Sequence, residues 1–275
     1  MSENPRTGSR HERLRPIEGQ HNTWVKALRK AFARGEAGTE GDCAIEGFHI
    51  IEEAIRSGLT FQAVFFSHSA EPRARKLLPQ IGAHAETLLL PDRLFASVVP
   101  SETPQGMAAL VRCKTFSLED VVSNSRKGPL LAIAGVQDPG NLGTILRSAE
   151  AFGAGGVLLG EGTVGRFNSK AIRASAGSVF RIPAAPAELK TAVGLMRERG
   201  LRLLATSSHK GTPLPETDLA GEVAVFIGNE GAGIPRELTG EMDELVMIPH
   251  APQVESLNAG VAASIVLYEI ARQRQ

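Results

Sequence analysis

Three loops in the C-terminal half carry side chains that could do chemistry. The first is Gln137-Asp138-Pro139-Gly140-Asn141-Leu142-Gly143, continuing as Thr144-Ile145-Leu146-Arg147-Ser148-Ala149-Glu150-Ala151-Phe152. Asp-Pro-Gly favours a tight turn, and Asn141 suits a helix N-cap. At helical spacing Leu142, Ile145, Leu146, Ala149 and Phe152 form a buried stripe, with Thr144, Arg147 and Ser148 opposite. The second loop, Gly228-Asn229-Glu230-Gly231-Ala232-Gly233, follows the apolar Val223–Ile227. Three glycines in six residues imply tight turns or close approach of backbone to a ligand, here around a carboxylate. The third runs from Met247-Ile248-Pro249-His250 to Val254-Glu255-Ser256-Leu257-Asn258, where Ser256 is placed to cap a final helix. Together they offer a cation, a carboxylate, carboxamides, a hydroxyl and exposed backbone. Taken singly, each reads more simply as a capped helix or a glycine-rich connection. Neither a GxGxxG fingerprint nor a GxxxxGK[ST] phosphate loop occurs here, so the pattern is neither a dinucleotide nor a P-loop site.

These loops need a scaffold. Leu130–Val136, Val157–Leu159, Leu201–Thr206, Val223–Ile227 and Leu245–Ile248 are continuous apolar runs alternating with helical stretches. Continuous runs mean burial on both faces, as in a parallel sheet covered by helices, whose ligands sit at the carboxyl ends of strands. The loops after Val136, Thr206, Ile227 and Ile248 are therefore where chemistry is expected. The final helix is apolar on nearly all sides, which calls for deep burial or a partner subunit.

The N-terminal half reads as a smaller α/β unit. Helices are expected over Trp24–Arg34, Ile45–Ser57 (stopped by Gly58) and Pro91–Val98, with strands over Gln62–Phe66 and Met107–Val111. The expected division is a disordered basic tail over 1–20, this unit over 21–113, a polar linker over 114–129 (KTFSLEDVVSNSRKGP), and the second unit over 130–275.

Hydrophobic residues make up 42% of the 275 residues, and no apolar run reaches membrane-span length. The N-terminus lacks the apolar stretch of a secretory signal, which points to a soluble, cytoplasmic protein. Two cysteines, Cys43 and Cys113, make neither a disulfide framework nor a zinc site, and are expected as buried thiols; no metal is expected. Net charge is zero, with 30 basic and 30 acidic residues, but the distribution is uneven. Residues 1–34 hold Arg6, Arg10, Arg13, Arg15, Lys26, Arg29, Lys30 and Arg34 against Glu3, Glu12 and Glu18, a local +5. Such a segment can track phosphates; it can equally be a solvated tail and surface helix.

In order and spacing, DPGNLGTILRSAEAFG, FIGNEGAGIP and VMIPHAPQVESLNAGVAASIVLYE resemble the three motifs of the SpoU (TrmH) family of the SPOUT methyltransferases. The resemblance covers residues 130–272. EGFHIIEEAIRSG and PQGMAALV resemble, more weakly, a ribosomal-protein-L30e-like substrate-binding domain.

The resemblance implies a C-terminal parallel-sheet, Rossmann-like α/β domain with a deep trefoil knot, plus a small N-terminal α/β domain. It implies S-adenosylmethionine as methyl donor, a ribose 2′-hydroxyl of structured RNA as acceptor, and a homodimer. Ribosomal RNA is expected before transfer RNA. The family's functional residues fall on Asn141, Arg147, Glu230, Ser256 and Asn258, with cofactor contacts from Gly228, Ile248 and Leu257 and from Thr206. Arg147 would clamp a phosphate and lower the hydroxyl's pKa, since a guanidinium resists acting as a base. Glu230 would orient it or accept the proton, and the carboxamides and Ser256 would position arginine, ribose and cofactor. The competing readings are a non-catalytic RNA-binding module and a base methyltransferase.

Overall fold

The computed structural model describes residues 14–38, 41–229 and 231–275. The chain divides into two units at Cys113/Lys114.

In the first unit the order is β1 (Arg15–Pro16), α1 (Thr23–Arg34), β2 (Asp42–Glu46), α2 (Phe48–Arg56), β3 (Thr60–Ser67), α3 (Glu71–Leu77), β4 (Glu86–Leu90), α4 (Asp92–Ala96) and β5 (Met107–Arg112). The sheet order is β1-β4-β3-β5-β2. Phe65, Leu88, Leu90 and Leu110 of the sheet and Phe95 of α4 pack with Val25, Leu28 and Ala31 of α1. Helix α1 begins at Asn22, whose side chain accepts from the Trp24 amide, and ends at Gly35 in the left-handed region.

Three expectations need correction here. Ile45 and Glu46 are the end of a strand, not the start of a helix: β2 pairs antiparallel with β5, and the helix starts only after Gly47. Part of the expected tail is ordered, since Arg15–Pro16 adds a strand beside β4; residues 1–13 lie outside the described residues. Cys43 and Cys113 are buried as expected, but they are joined as a disulfide rather than left as thiols. The β2–β5 pairing brings them to a Cα separation of 6.6 Å.

The second unit runs α5 (Leu118–Ser123), β6 (Leu130–Ala134), α6 (Pro139–Ala151), β7 (Gly156–Leu159), α7 (Ser169–Ala174), β8 (Ala184–Pro186), α8 (Leu189–Glu198), β9 (Arg202–Ser207), β10 (Thr212–Pro213), β11 (Val223–Gly228), α9 (Arg236–Thr239), β12 (Glu244–Met247) and α10 (Ala259–Gln273). Its seven strands, in the order β10-β12-β9-β11-β6-β7-β8, are parallel in every pairing. Leu130–Ile133 are fully buried, as a strand covered on both faces must be. The α/β class with a parallel sheet is thus as the sequence indicated.

The expected linker is structured. Ser117 and Asp120 form a reciprocal capping box that starts α5. Val121 and Val122 are buried in the second unit's core beside Leu130 and Leu158. Polar composition concealed a short amphipathic helix. Among the described residues, no helix is long and apolar enough to cross a membrane.

Candidate active site

The carboxyl ends of β9, β11 and β12 border a cavity of about 720 Å³, within the range of small-molecule sites. Its walls come from Ala205–Lys210, from Ile227–Asn229 and Gly231–Ile234, and from Leu245, Ile248, His250, Glu255–Leu257, Ala259 and Ala262. Three of the four loops expected from the sequence, those after Thr206, Ile227 and Ile248, therefore converge, while the loop after Val136 does not line the cavity. All four cofactor-contact candidates (Thr206, Gly228, Ile248 and Leu257) line this one cavity, and so does Ser256.

Gly228 is there for space. A Cβ on it would sit 2.5 Å from the carbonyl carbon of Gly233 and 2.7 Å from the Ile234 amide nitrogen, both main-chain atoms. The loop folds back on the strand end because Asn229 and Gly233 exchange main-chain hydrogen bonds of 3.1 and 3.0 Å. Asn229 secures it further. Its Nδ2 donates to the Gly135 carbonyl at 2.7 Å, and its Oδ1 accepts from the Gly231 and Ala232 amides at 2.8 and 3.1 Å. One carboxamide thus ties the loop after β11 to the end of β6. Thr206 donates from Oγ1 to the Phe226 carbonyl at 3.0 Å, fixing the neighbouring strand end.

The third loop is stapled from within. The two ring nitrogens of His250 face the Ile248 carbonyl at 2.7 Å and the Val254 carbonyl at 3.1 Å. His209 packs near it at the cavity, with ring centroids 5.6 Å apart. The loop ends at α10, where the cap differs from expectation. Asn258, not Ser256, is the N-cap, its Oδ1 accepting from the Val261 amide at 3.1 Å. Ser256 is exposed at the cavity, free of capping duty. Helix α6 likewise starts earlier than expected. Asp138 is its N-cap, accepting from the Asn141 amide, and Pro139 occupies the first helical turn.

That shift leaves the Asn141 side chain for another contact. Asn258 Nδ2 donates to Asn141 Oδ1 at 2.8 Å, joining residues 117 positions apart. Helices α6 and α10 also meet through Ser148 and Ser264, 2.7 Å apart. Two candidate residues from different motifs are therefore in direct contact, and their junction continues into the cavity wall through Leu257 and Ala259.

Arg147 stands apart. It is exposed on α6 and does not line the cavity. No hydrogen bond or ion pair holds it among the described residues. Glu150, one helical turn on, is committed to Arg181 at 2.5 Å, an ion pair that holds its carboxyl below the usual range. The guanidinium of Arg147 thus remains available. Phe152, placed in the buried stripe from the sequence, is only half-buried and meets Tyr268 edge-on at 5.9 Å; it lies at the C-cap, where the helical stripe has ended. Glu230 lies outside the described residues, between two that line the cavity.

Asn229 and His250 are the organising residues that sequence reasoning passed over. A carboxamide at a strand end before a glycine loop was the available signal for the first. Nothing local distinguished His250 from the six other histidines.

Residues 129–268 match the family model described as the SpoU rRNA methylase family, and residues 22–109 match the MRM3-like substrate binding domain. The chain is 33% identical over 258 residues, 94% of its length and 99% of the relative's, to the 23S rRNA (guanosine(2553)-2′-O)-methyltransferase RlmP of Bacillus subtilis (strain 168). A solved AdoMet-bound rRNA methyltransferase from Sinorhizobium meliloti aligns with a TM-score of 0.82 at 27% identity, over 94% of this chain and 98% of that one. The SpoU methyltransferase AviRb from Streptomyces viridochromogenes, in complex with AdoMet, aligns with a TM-score of 0.77 at 27% identity, over 90% and 98%. The chain belongs to the SpoU rRNA methylase family and is an S-adenosylmethionine-dependent RNA methyltransferase.

Proposed function

We propose that this chain methylates a ribose 2′-hydroxyl of ribosomal RNA in the cytoplasm, as a homodimer whose second unit is closed by a deep trefoil knot. The observation that carries the reading is the Asn141–Asn258 hydrogen bond, which locks the Arg147 helix to the wall of the cofactor-sized cavity. The kinship to a 23S rRNA 2′-O-methyltransferase supports the acceptor.

The residues fit S-adenosylmethionine. Gly228 lets the loop main chain fold tightly against the strand end and form one wall, while Ile248, Leu257, Leu245 and Ala205 supply apolar walls. When bound, the cofactor supplies an electrophilic methyl group. The chain's own residues do the rest. Ser256 holds the ribose at the cavity mouth. Arg147 pairs with the adjoining phosphate and stabilises charge developing on the hydroxyl oxygen, an electrostatic role that needs no loss of its own proton. Glu230 orients that guanidinium or takes the hydroxyl proton. The Asn141–Asn258 pair keeps both helices in register, so that reactants meet in line.

The dimer accounts for two features. Arg147 is off the cavity of its own chain. Val261 and Tyr268 of α10 are 46% and 56% exposed and, with Val254, are the large apolar side chains left open to solvent among the described residues. A second copy would cover that face and bring a fresh Arg147 toward a cavity. Val261→Asp with Tyr268→Asp should then give monomer by analytical ultracentrifugation; an unaltered dimer would place the interface elsewhere.

Transfer of tritium from labelled S-adenosylmethionine to ribosomal and to transfer RNA, by wild type and Arg147→Ala, tests the proposal. Label on ribosomal RNA with wild type alone is expected. Label on transfer RNA alone, or equal label with Arg147→Ala, would contradict it.

A further inference from the structure

Helix α1 presents basic side chains, three of which pair with no acidic group among the described residues of the first unit. Its twelve residues include no aspartate or glutamate, and Val25, Leu28 and Ala31 fill the face turned to the core. Lys26, Arg29 and Lys30 are exposed, one turn apart on the opposite side. Among the described residues none of the three side chains has a hydrogen bond or an ion pair. Their basic neighbours in sequence differ. Arg15 pairs with Glu86 at 3.0 Å and Arg34 with Asp42 at 2.6 Å. Glu18 and Glu36, the acidic residues that bracket the helix in sequence, make no ion pair to it.

Helix stability does not explain this arrangement. Lys26 lies in the first turn, where the helix dipole disfavours a cation. Lys26 and Lys30 are like charges at i, i+4, which repel across one turn. The set opposes the helix that carries it, which points to a role in binding an anion. It spans about 6 Å along the axis, so it suits a chain of regularly spaced negative charges better than a single small ion.

We propose that the Lys26–Arg29–Lys30 face of α1 docks the phosphate backbone of the RNA substrate. The proposal rests on the methyltransferase reading above and adds where the first unit grips. Contacts of this kind fix position and register without reading sequence. Arg15 and Arg34, already ion-paired, are left to hold the unit together.

The test uses the full chain carrying Lys26→Gln, Arg29→Gln and Lys30→Gln, with an unmodified 23S ribosomal RNA transcript as probe. Affinity is measured across a salt series, and cofactor binding and helix content are measured beside it. Each lost phosphate contact should lower the slope of log affinity against log salt by roughly 0.7–0.9, so by about 2–3 for the set, with affinity near 0.1 M salt falling roughly ten- to a hundredfold. Cofactor affinity and circular dichroism should not change. Exchanging the three residues Lys↔Arg should keep the wild-type slope. An unchanged slope in a folded, cofactor-binding Gln variant would overturn the docking face alone. Wild type that binds cofactor yet no RNA at any salt would overturn the enzymatic reading and this proposal with it.

Discussion

Gly228→Ala isolates the contribution of the loop after β11. The added Cβ would lie 2.5, 2.7 and 2.9 Å from main-chain atoms of Gly233 and Ile234, against an ordinary carbon contact of about 3.5–4.0 Å. None of these atoms is the end of a flexible side chain, so the loop must move by about 1 Å. Overpacking of this size costs roughly 1–3 kcal/mol. The loop is a wall of the cavity, so the cost should fall mainly on cofactor binding, weakening it by about five- to a hundredfold. Isothermal titration with S-adenosylmethionine measures this. Gly221→Ala, where the added carbon meets nothing within 4 Å, is the matched control and should bind like wild type. Gly228→Ala binding as tightly as wild type would refute the reasoning, because the loop could then not be the wall against which the cofactor rests.

Arg147→Ala should cut turnover by roughly 10²–10³, the usual loss of one transition-state donor, while leaving cofactor affinity unchanged; a matching loss of cofactor affinity would give it a different role. Asn141→Ala, Asn258→Ala and the double variant form a cycle read by urea unfolding. The coupling should be about 0.5–1.5 kcal/mol, and Asn258→Ala should be the worse single change because it also loses a helix cap worth about 1 kcal/mol. Glu269 of α10 is held down to about 2 by Arg272 and Gln273. A depressed carboxylate stabilises the fold above its ordinary value of 4.5 and loses that contribution as pH falls toward 2. With Arg272 half-exposed, Glu269→Gln should cost about 1–2 kcal/mol at neutral pH. Thermal melts should show the gap closing between pH 4.5 and 2; a gap independent of pH would deny the ion pair its role.

The sheet of the second unit was legible because Leu130–Ile133 and Val223–Ile227 are buried on both faces and so read as unbroken apolar runs. Short elements were not. Ala184–Pro186 and Thr212–Pro213 carry too few residues for any period to show. Ile45 and Glu46 were misread because helix-like spacing in IEGFHII runs straight through Gly47, and only the pairing with β5 separates strand from helix. The cavity-lining candidates Thr206, Gly228, Ile248, Ser256 and Leu257 were legible as loop positions, since strand ends of one parallel sheet must share an edge. Hydrogen-bond roles were not. Asp138 and Asn141 are both good caps, as are Ser256 and Asn258. Which of each pair caps depends on where the chain enters the helix, and that in turn frees Asn141 for Asn258. The linker was misjudged because α5 buries only Val121 and Val122 beneath a polar surface.

The most direct test of the account is the position of the transferred methyl group. Ribosomal RNA labelled by the wild-type protein would be digested to nucleosides and the methylated product identified by mass spectrometry. A single 2′-O-methylnucleoside is expected, absent with Arg147→Ala. Methyl on a base, or no methylated nucleoside from protein that binds S-adenosylmethionine, would contradict it.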